Sequence, residues 1–218
     1  MFLGHFGLAM AAKKVAPRMS LGTAILAGQF LDALWPIFVL AGIESFQIVP
    51  GITRVNPLDF TSYPWSHSLA MALVWGALFA LVYGLVRKRP RDAVIAGALV
   101  VSHWFLDWIV HRPDLPLYPG DQTRHGLDLW DSFAGSLSVE LALFVAGIIL
   151  FLRSTRARDR FGAIGFWVLV VLLALGYLAA VFGPPPPSTN AVAGSVIVLW
   201  LFFAFAWWFD RHREPTHA

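Results

Sequence analysis

Six apolar stretches, at about 20–43, 64–86, 92–110, 133–152, 161–182 and 191–209, constrain this 218-residue chain most. Each approaches or reaches the roughly 20 residues that cross a bilayer as a helix. Hydrocarbon offers no hydrogen bonds to backbone N–H and C=O groups, so a run of this length must satisfy them within itself. The pattern predicts an all-α fold: a polytopic membrane helix bundle of about six transmembrane helices. The breaks between stretches are clear. They are Arg87-Lys88-Arg89-Pro90-Arg91, the polar segment 111–132, Arg153 to Arg160, and Gly183 to Asn190 with its run of prolines. Charged residues make up only 13% of the chain, against about 25% in soluble domains. The length suits a single integral membrane domain over 1–218. Cysteine is absent, which excludes disulfides and thiolate metal ligands.

Lys13, Lys14, Arg18, Arg87, Lys88, Arg89, Arg91, Arg153, Arg156, Arg158, Arg160, Arg211 and Arg213 all fall on one side of such a bundle. Arg54, Arg112 and Arg124 fall on the other. The basic side is cytoplasmic by the positive-inside rule, so both termini face the cytosol. This placement in short loops explains the basic balance without nucleic acid. The first twelve residues, MFLGHFGLAMAA, are apolar but too short to cross, and their lysines follow rather than precede them, unlike a signal peptide. They form either an interfacial helix or a half-helix rising into the bundle. Gly4, Gly7, Gly22 and Gly28 suggest close helix contact. Trp35, Trp65, Trp75, Trp104, Trp108 and Trp130 read as packing or interface-belt aromatics.

Against this background His5, Asp32, His67, His103, Asp107, His111 and Glu140 stand out. Ionisable groups at membrane depth cost a few kcal/mol and default to pairing, ion binding or function. Imidazoles mixed with carboxylates are the ligand set of zinc, iron or manganese. A rise of ~1.5 Å per residue puts His103 ~12 Å, Asp107 ~6 Å and Glu140 ~10 Å below the outer surface, and Asp32 and a half-helix His5 near the midplane. His67 opens the second stretch. One cluster opening outward is therefore allowed. His103, Asp107 and His111 recur at i, i+4 and i+8, on one helix face. His111 either extends a site or, beside Arg112 and Pro113, closes the helix. Asp32 and Glu140 could also act as structural glue. His125 reads as solvated, and His212 and His217 as a polar tail.

Four blocks in order carry a family resemblance: Gly4-His5-Phe6-Gly7, Gln29-Phe30-Leu31-Asp32, Trp65-Ser66-His67-Ser68 and Ser102-His103-Trp104-Phe105-Leu106-Asp107. Over residues 1–115 the chain resembles the YdjM-type proteins, described as LexA-binding, inner-membrane-associated, metal-dependent hydrolases. The resemblance implies His5, Asp32, His67, His103 and Asp107 as metal ligands or catalytic groups, in a bacterial-type inner membrane. The chain has Asp32-Ala33-Leu34-Trp35 where the family often shows Pro-Asp-x-Asp. It has Ser62-Tyr63-Pro64-Trp65 where the family often has His-Arg-Gly before Thr-His-Ser. Both departures weigh against a multinuclear site.

The expected chemistry is hydrolysis of a lipid or amphiphilic ester, phosphoester or amide by a divalent metal, Zn first, with Fe and Mn as alternatives. Asp107 and Glu140 are the candidate catalytic carboxylates, Glu140 as general base. Ser68, Ser102 and His111 are expected to hydrogen-bond around the ligands. The rival readings are an ion- or proton-coupled transporter and a non-catalytic scaffold. The expected partners are membrane lipids and a small amphiphile. The two apolar helices over 161–210 complete the bundle or present a surface for a homo-oligomer.

Overall fold

The structure, a computed structural model, describes residues 1–216. His217 lies outside the described residues. The chain opens with α1 (Leu3–Ala11), extended by a 3-10 turn over Ala12–Lys14, then α2 (Leu21–Gly28) and α3 (Phe30–Leu40). A two-stranded antiparallel hairpin follows, β1 (Ser45–Ile48) with β2 (Leu58–Ser62), leading into the single turn α4 (Pro64–His67). The long helices are α5 (Leu69–Arg87), α6 (Pro90–Val110), α7 (Phe133–Ser154) and α8 (Arg160–Phe182). Helices α9 (Thr189–Ile197) and α10 (Leu199–Asp210) complete the bundle. Short strands β3 (Thr155–Ala157) and β4 (Arg213–Pro215) pair the α7–α8 link with the C-terminal tail.

Among the described residues, five helical segments are long and apolar enough to cross a membrane, with α9 and α10 together making one of them. The pair α2–α3 makes a sixth, bent by 57°. This is a multi-pass membrane helix bundle. Its outward faces carry Leu81, Val82, Leu85, Val94, Ile164, Val171 and Leu201, all exposed, a surface suited to acyl chains and unsuited to water.

Two sequence expectations need correction, and one open alternative is decided. The stretch 20–43 is no continuous helix, because Gln29 leaves helical geometry (φ −106°, ψ 15°) and restarts the chain in a new direction. The expectation of helix alone misses the hairpin, whose alternating Phe46, Ile48, Leu58 and Phe60 pack on the core. The N-terminal segment, left between two readings, is a buried half-helix and does not lie at an interface.

Several helix starts are set by hydroxyl or carboxylate caps: Ser20, Ser68, Ser132, Asp159 and Ser188 each accept a hydrogen bond from a first-turn N–H. Helix α1 packs chiefly against α7, α10 against α2, and α9 against α3, so the last helices close over the first ones. The main core runs from Leu3 and Phe6 through Ile25, Leu31 and Phe144 to Phe203 and Phe209, with a smaller cluster around Met1, Val110 and Trp130. The α1–α7 contact depends on glycine. A Cβ on Gly7 would meet the Leu143 carbonyl and lie 2.9 Å from Phe144 Cα, and one on Gly147 would strike the Gly7 backbone. At the basic end, buried Lys13 donates to Met19 O at 2.9 Å and to Asp210 Oδ2 at 3.1 Å. Arg89 donates to Arg18 O at 3.1 Å. Trp35, Trp104 and Trp130 are core residues, whereas Trp65 and Trp108 are exposed.

Candidate metal centre

Helix α6 supplies the pivot. His103 and Asp107, one turn apart, put His103 Nε2 3.1 Å from Asp107 Oδ2. The break between α2 and α3 brings in Asp32, which sits in the first turn of α3, where the N-terminal dipole favours a carboxylate. His67 ends α4, and the extended backbone of Ser68 (φ −78°, ψ 150°) separates it from α5. His67 Nε2 lies 3.4 Å from Asp32 Oδ1 and 3.8 Å from Asp107 Oδ2. His103 Nε2 is 3.7 Å from the same Asp32 oxygen. His5, on α1, stacks on the His103 ring (centroids 3.7 Å apart, planes 5° apart) and places Nε2 3.0 Å from Asp107 Oδ1. The Met1 amine meets that oxygen at 2.5 Å.

All five implied ligand residues are therefore brought together around Asp107. Two sets, His5/His103/Asp107 and Asp32/His67/His103, each hold their donor atoms within 4.8 Å of one another. Metal–ligand bonds of ~2.0–2.2 Å place neighbouring donor atoms ~3–3.5 Å apart. The spacing fits a cation.

Proton positions point the same way. His103 Nδ1 is 2.8 Å from Gly28 O. A carbonyl only accepts, so Nδ1 carries the proton and neutral His103 has a bare Nε2. That atom is buried without a hydrogen-bond partner and faces two carboxylates, Asp107 and Asp32. Acceptors facing one another in a dry interior are costly unless a proton or a metal cation lies between them. His5, His67, His103 and Asp107 are almost fully buried, while the Asp32 side chain is 29% exposed. The cluster thus opens at Asp32. Buried His/Asp clusters of this kind could bind a metal ion.

His111 ends the helix and lies at the edge of the cluster, beyond hydrogen-bond distance of Asp107. It is the C-cap of α6. Its Nδ1 lies 2.9 Å from Asp114 Oδ1, and its Nε2 lies 3.8 Å from Asp107 Oδ2. Tyr63 donates to the same Asp114 oxygen at 2.7 Å. Burial first, and then the Asp114 carboxylate, push the Tyr63 hydroxyl well above its usual value, so it remains a donor. His125 is half-buried in a bridge to Leu115 with Thr123 Oγ1 3.2 Å from its Nε2. It stands apart from the centre.

Three expected roles are corrected. Glu140 is not free to act as a base. Its Oε1 accepts from Phe2 N and its Oε2 from Gly4 N, both at 2.7 Å, so it caps the buried start of α1. Ser68 caps α5 through Met71 N at 3.2 Å. Ser102 donates back to Leu99 O at 2.7 Å, the usual habit of a mid-helix serine. Among the described residues neither serine hydrogen-bonds an imidazole. The residues that do hold ligand rings are Ser66, whose Oγ is 2.7 Å from His67 Nδ1, and Gly28. Behind Ser66 lies buried Glu44, accepting from Ser66 Oγ at 2.6 Å. The serine on each side of His67 was visible in the sequence. Only the helix start at Leu69 decides which one caps and which one holds the ring.

Comparison with family models, curated proteins and solved structures gives no match for this chain.

Proposed function

We propose that the chain is a membrane-embedded, metal-dependent hydrolase acting on a lipid or amphiphilic ester, phosphoester or amide. The observation that carries this reading is the bare, buried Nε2 of His103 aimed between Asp107 and Asp32, with His67 Nε2 beside it. Asp32, His67, His103 and Asp107 would hold the ion, with His5 and His111 against the two oxygens of Asp107. Three or four N/O ligands of this kind suit Zn first, and Fe or Mn next. A bound divalent ion supplies Lewis acidity, which polarises an acyl or phosphoryl oxygen and acidifies water.

The chain's own residues supply the rest. Asp32, the one part-exposed ligand, marks the edge at which a substrate would reach the ion. The buried faces of His5, His67 and His103 exclude bulk water and strengthen the local field. The apolar outer surface admits an amphiphile laterally. The hydrolase reaction class is what the resemblance of residues 1–115 to the YdjM-type proteins implies. The crowding of basic residues at the Lys13/Asp210 end supports cytosolic termini and a centre in the outer half of the bilayer, while the bacterial-type inner membrane is what the resemblance implies.

One observation favours transport as a second reading. The span α2–α3 is broken at Gln29 beside an ionisable site, as in many carriers. The buried Gln29 amide also has no hydrogen-bond partner. The deciding experiment uses full-length protein in liposomes loaded with Zn2+, with and without mixed phospholipid and acyl-ester substrates. Turnover that requires Zn2+ and falls with Asp32→Asn supports hydrolysis. Zn2+ flux abolished by the same substitution, without turnover, replaces it with transport.

A further inference from the structure

Glu44 belongs to none of the motif blocks, yet it is 3% exposed and fully engaged. It lies between α3 and β1, just after Gly42, whose positive φ (70°) turns the chain back over the bundle. Its Oε1 accepts from Trp65 N and Ser66 N, both at 2.8 Å, and its Oε2 accepts from Ser66 Oγ at 2.6 Å. Ser66 Oγ then lies 2.7 Å from His67 Nδ1.

A serine hydroxyl has one proton. The other oxygens within reach of Ser66 Oγ are Glu44 Oε2 and, at 3.5 Å, the Tyr63 carbonyl. Both are acceptors, so the hydroxyl proton points away from His67. The 2.7 Å contact must then be made by a proton on His67 Nδ1, which in the neutral ring leaves the Nε2 lone pair bare. That atom faces Asp32 Oδ1 and Asp107 Oδ2.

We propose that Glu44, acting through Ser66, is a positioning residue that fixes His67 in the tautomer able to bind a metal through Nε2. The consequence for metal binding rests on the metal-centre reading above, while the tautomer itself does not. The arrangement parallels His103, where the Gly28 carbonyl does the same work directly. Partners of this kind orient a ligand ring and raise its basicity, and removing them costs ~10–100-fold in metal affinity.

Glu44→Gln separates this role from simple capping. The two backbone N–H groups hold the amide oxygen at the Oε1 position. The amide nitrogen therefore replaces Oε2 and donates to Ser66 Oγ. The serine proton, no longer held by Glu44, then turns to His67 Nδ1 at 2.7 Å, a nearer acceptor than the Tyr63 carbonyl at 3.5 Å, and this shifts the proton of neutral His67 onto Nε2. The cap survives, and the hydrogen-bond chain reverses.

The test uses full-length protein in detergent, stripped with chelator. The wild type, Glu44→Gln, Ser66→Ala and Ser66→Thr proteins are titrated with Co2+ in competition with a chelator. The tautomer is read from histidine 15N shifts of the metal-free protein. We expect Glu44→Gln and Ser66→Ala to weaken Co2+ binding ~10–100-fold and to alter the Co2+ visible absorption, with Ser66→Thr close to wild type. We also expect Glu44→Gln to move the His67 proton from Nδ1 to Nε2. Wild-type Co2+ affinity and an unchanged tautomer in Glu44→Gln would overturn the proposal. Should Glu44→Gln fail to fold, Ser66→Ala carries the same test, with unchanged Co2+ affinity and absorption overturning it. A wild-type protein that binds no Co2+ would overturn the metal reading, and the 15N shifts would still decide the relay.

Discussion

Asp107 Oδ2 lies 3.1 Å from His103 Nε2, one turn away on α6, and both groups are sealed from water. Every other ionisable group of the centre is arranged around this pair. His5 and the Met1 amine meet the Oδ1 side, and His67 and His111 approach the Oδ2 side. Asp107→Asn keeps the shape but removes the charge that a cation needs. Its affinity for Zn2+ should fall beyond the ~100-fold that marks loss of an outer partner, measured by chelator competition on protein that still elutes as a folded species.

Glu140→Ala should destabilise the bundle. Phe2 N and Gly4 N would be left buried without acceptors, at ~1–3 kcal/mol for each. Glu140→Gln keeps one acceptor and should cost less than the alanine change. Denaturation in mixed micelles, followed by tryptophan fluorescence, gives both values. Equal stability of Glu140→Ala and wild type would show that the cap contributes nothing.

Gly147→Leu should be worse tolerated than any ordinary surface change, because its side chain would enter the Gly7 backbone. Overpacking costs ~1–3 kcal/mol where neighbours can relax, and backbone cannot. Helix α1 carries His5, so metal affinity should fall together with stability. Gly194 meets nothing within 4 Å, and Gly194→Ala is the matched control, expected within ~0.5 kcal/mol of wild type.

At the basic end, His212 Nδ1 lies 2.7 Å from Asp159 Oδ2. This bond first, and then the Gly162 and Phe161 N–H groups, hold the Asp159 carboxyl below its usual 3.8. A carboxylate lowered on folding adds stability that is present above pH 3.8 and is lost as pH falls through the lower folded value. Wild type should therefore melt above Asp159→Asn at pH 6, with the gap closing only below about pH 3.8. A gap that closes already near pH 5 contradicts this account.

The long helices were legible because a twenty-residue apolar run has one way to satisfy its backbone in lipid. Their ends were marked by arginine clusters such as Arg87 to Arg91 and Arg153 to Arg160. The break at Gln29 was not legible. Pro36 is the obvious breaker in that stretch, yet it lies inside α3 without ending it. The hairpin had a faint signal in the alternation of Phe46 with Ile48 and of Leu58 with Phe60. That signal was hidden beside stronger helical runs.

Within the centre, His103 and Asp107 could be paired from helical spacing alone. Asp32, His67 and His5 joined them through the order of motifs in the family resemblance. Glu44 and Asp114 could not be found that way, because each lies in a loop that folds back on the bundle, and no periodicity encodes such a return. Ser66 was visible beside His67, but nothing in the sequence favoured it over Ser68 as the residue that holds the ring. Glu140 misled for a related reason. A carboxylate in a membrane helix suggested chemistry, whereas the buried N-terminus of α1 needed acceptors.

The most direct measurement is the metal content of full-length protein purified from a membrane fraction without chelator, compared with His103→Ala prepared in parallel. The account predicts stoichiometric Zn, Fe or Mn in the wild type and its loss in the variant, with both proteins folded. Wild-type protein that carries no stoichiometric metal, and takes up none on addition of Zn2+, Fe2+ or Mn2+, would contradict it.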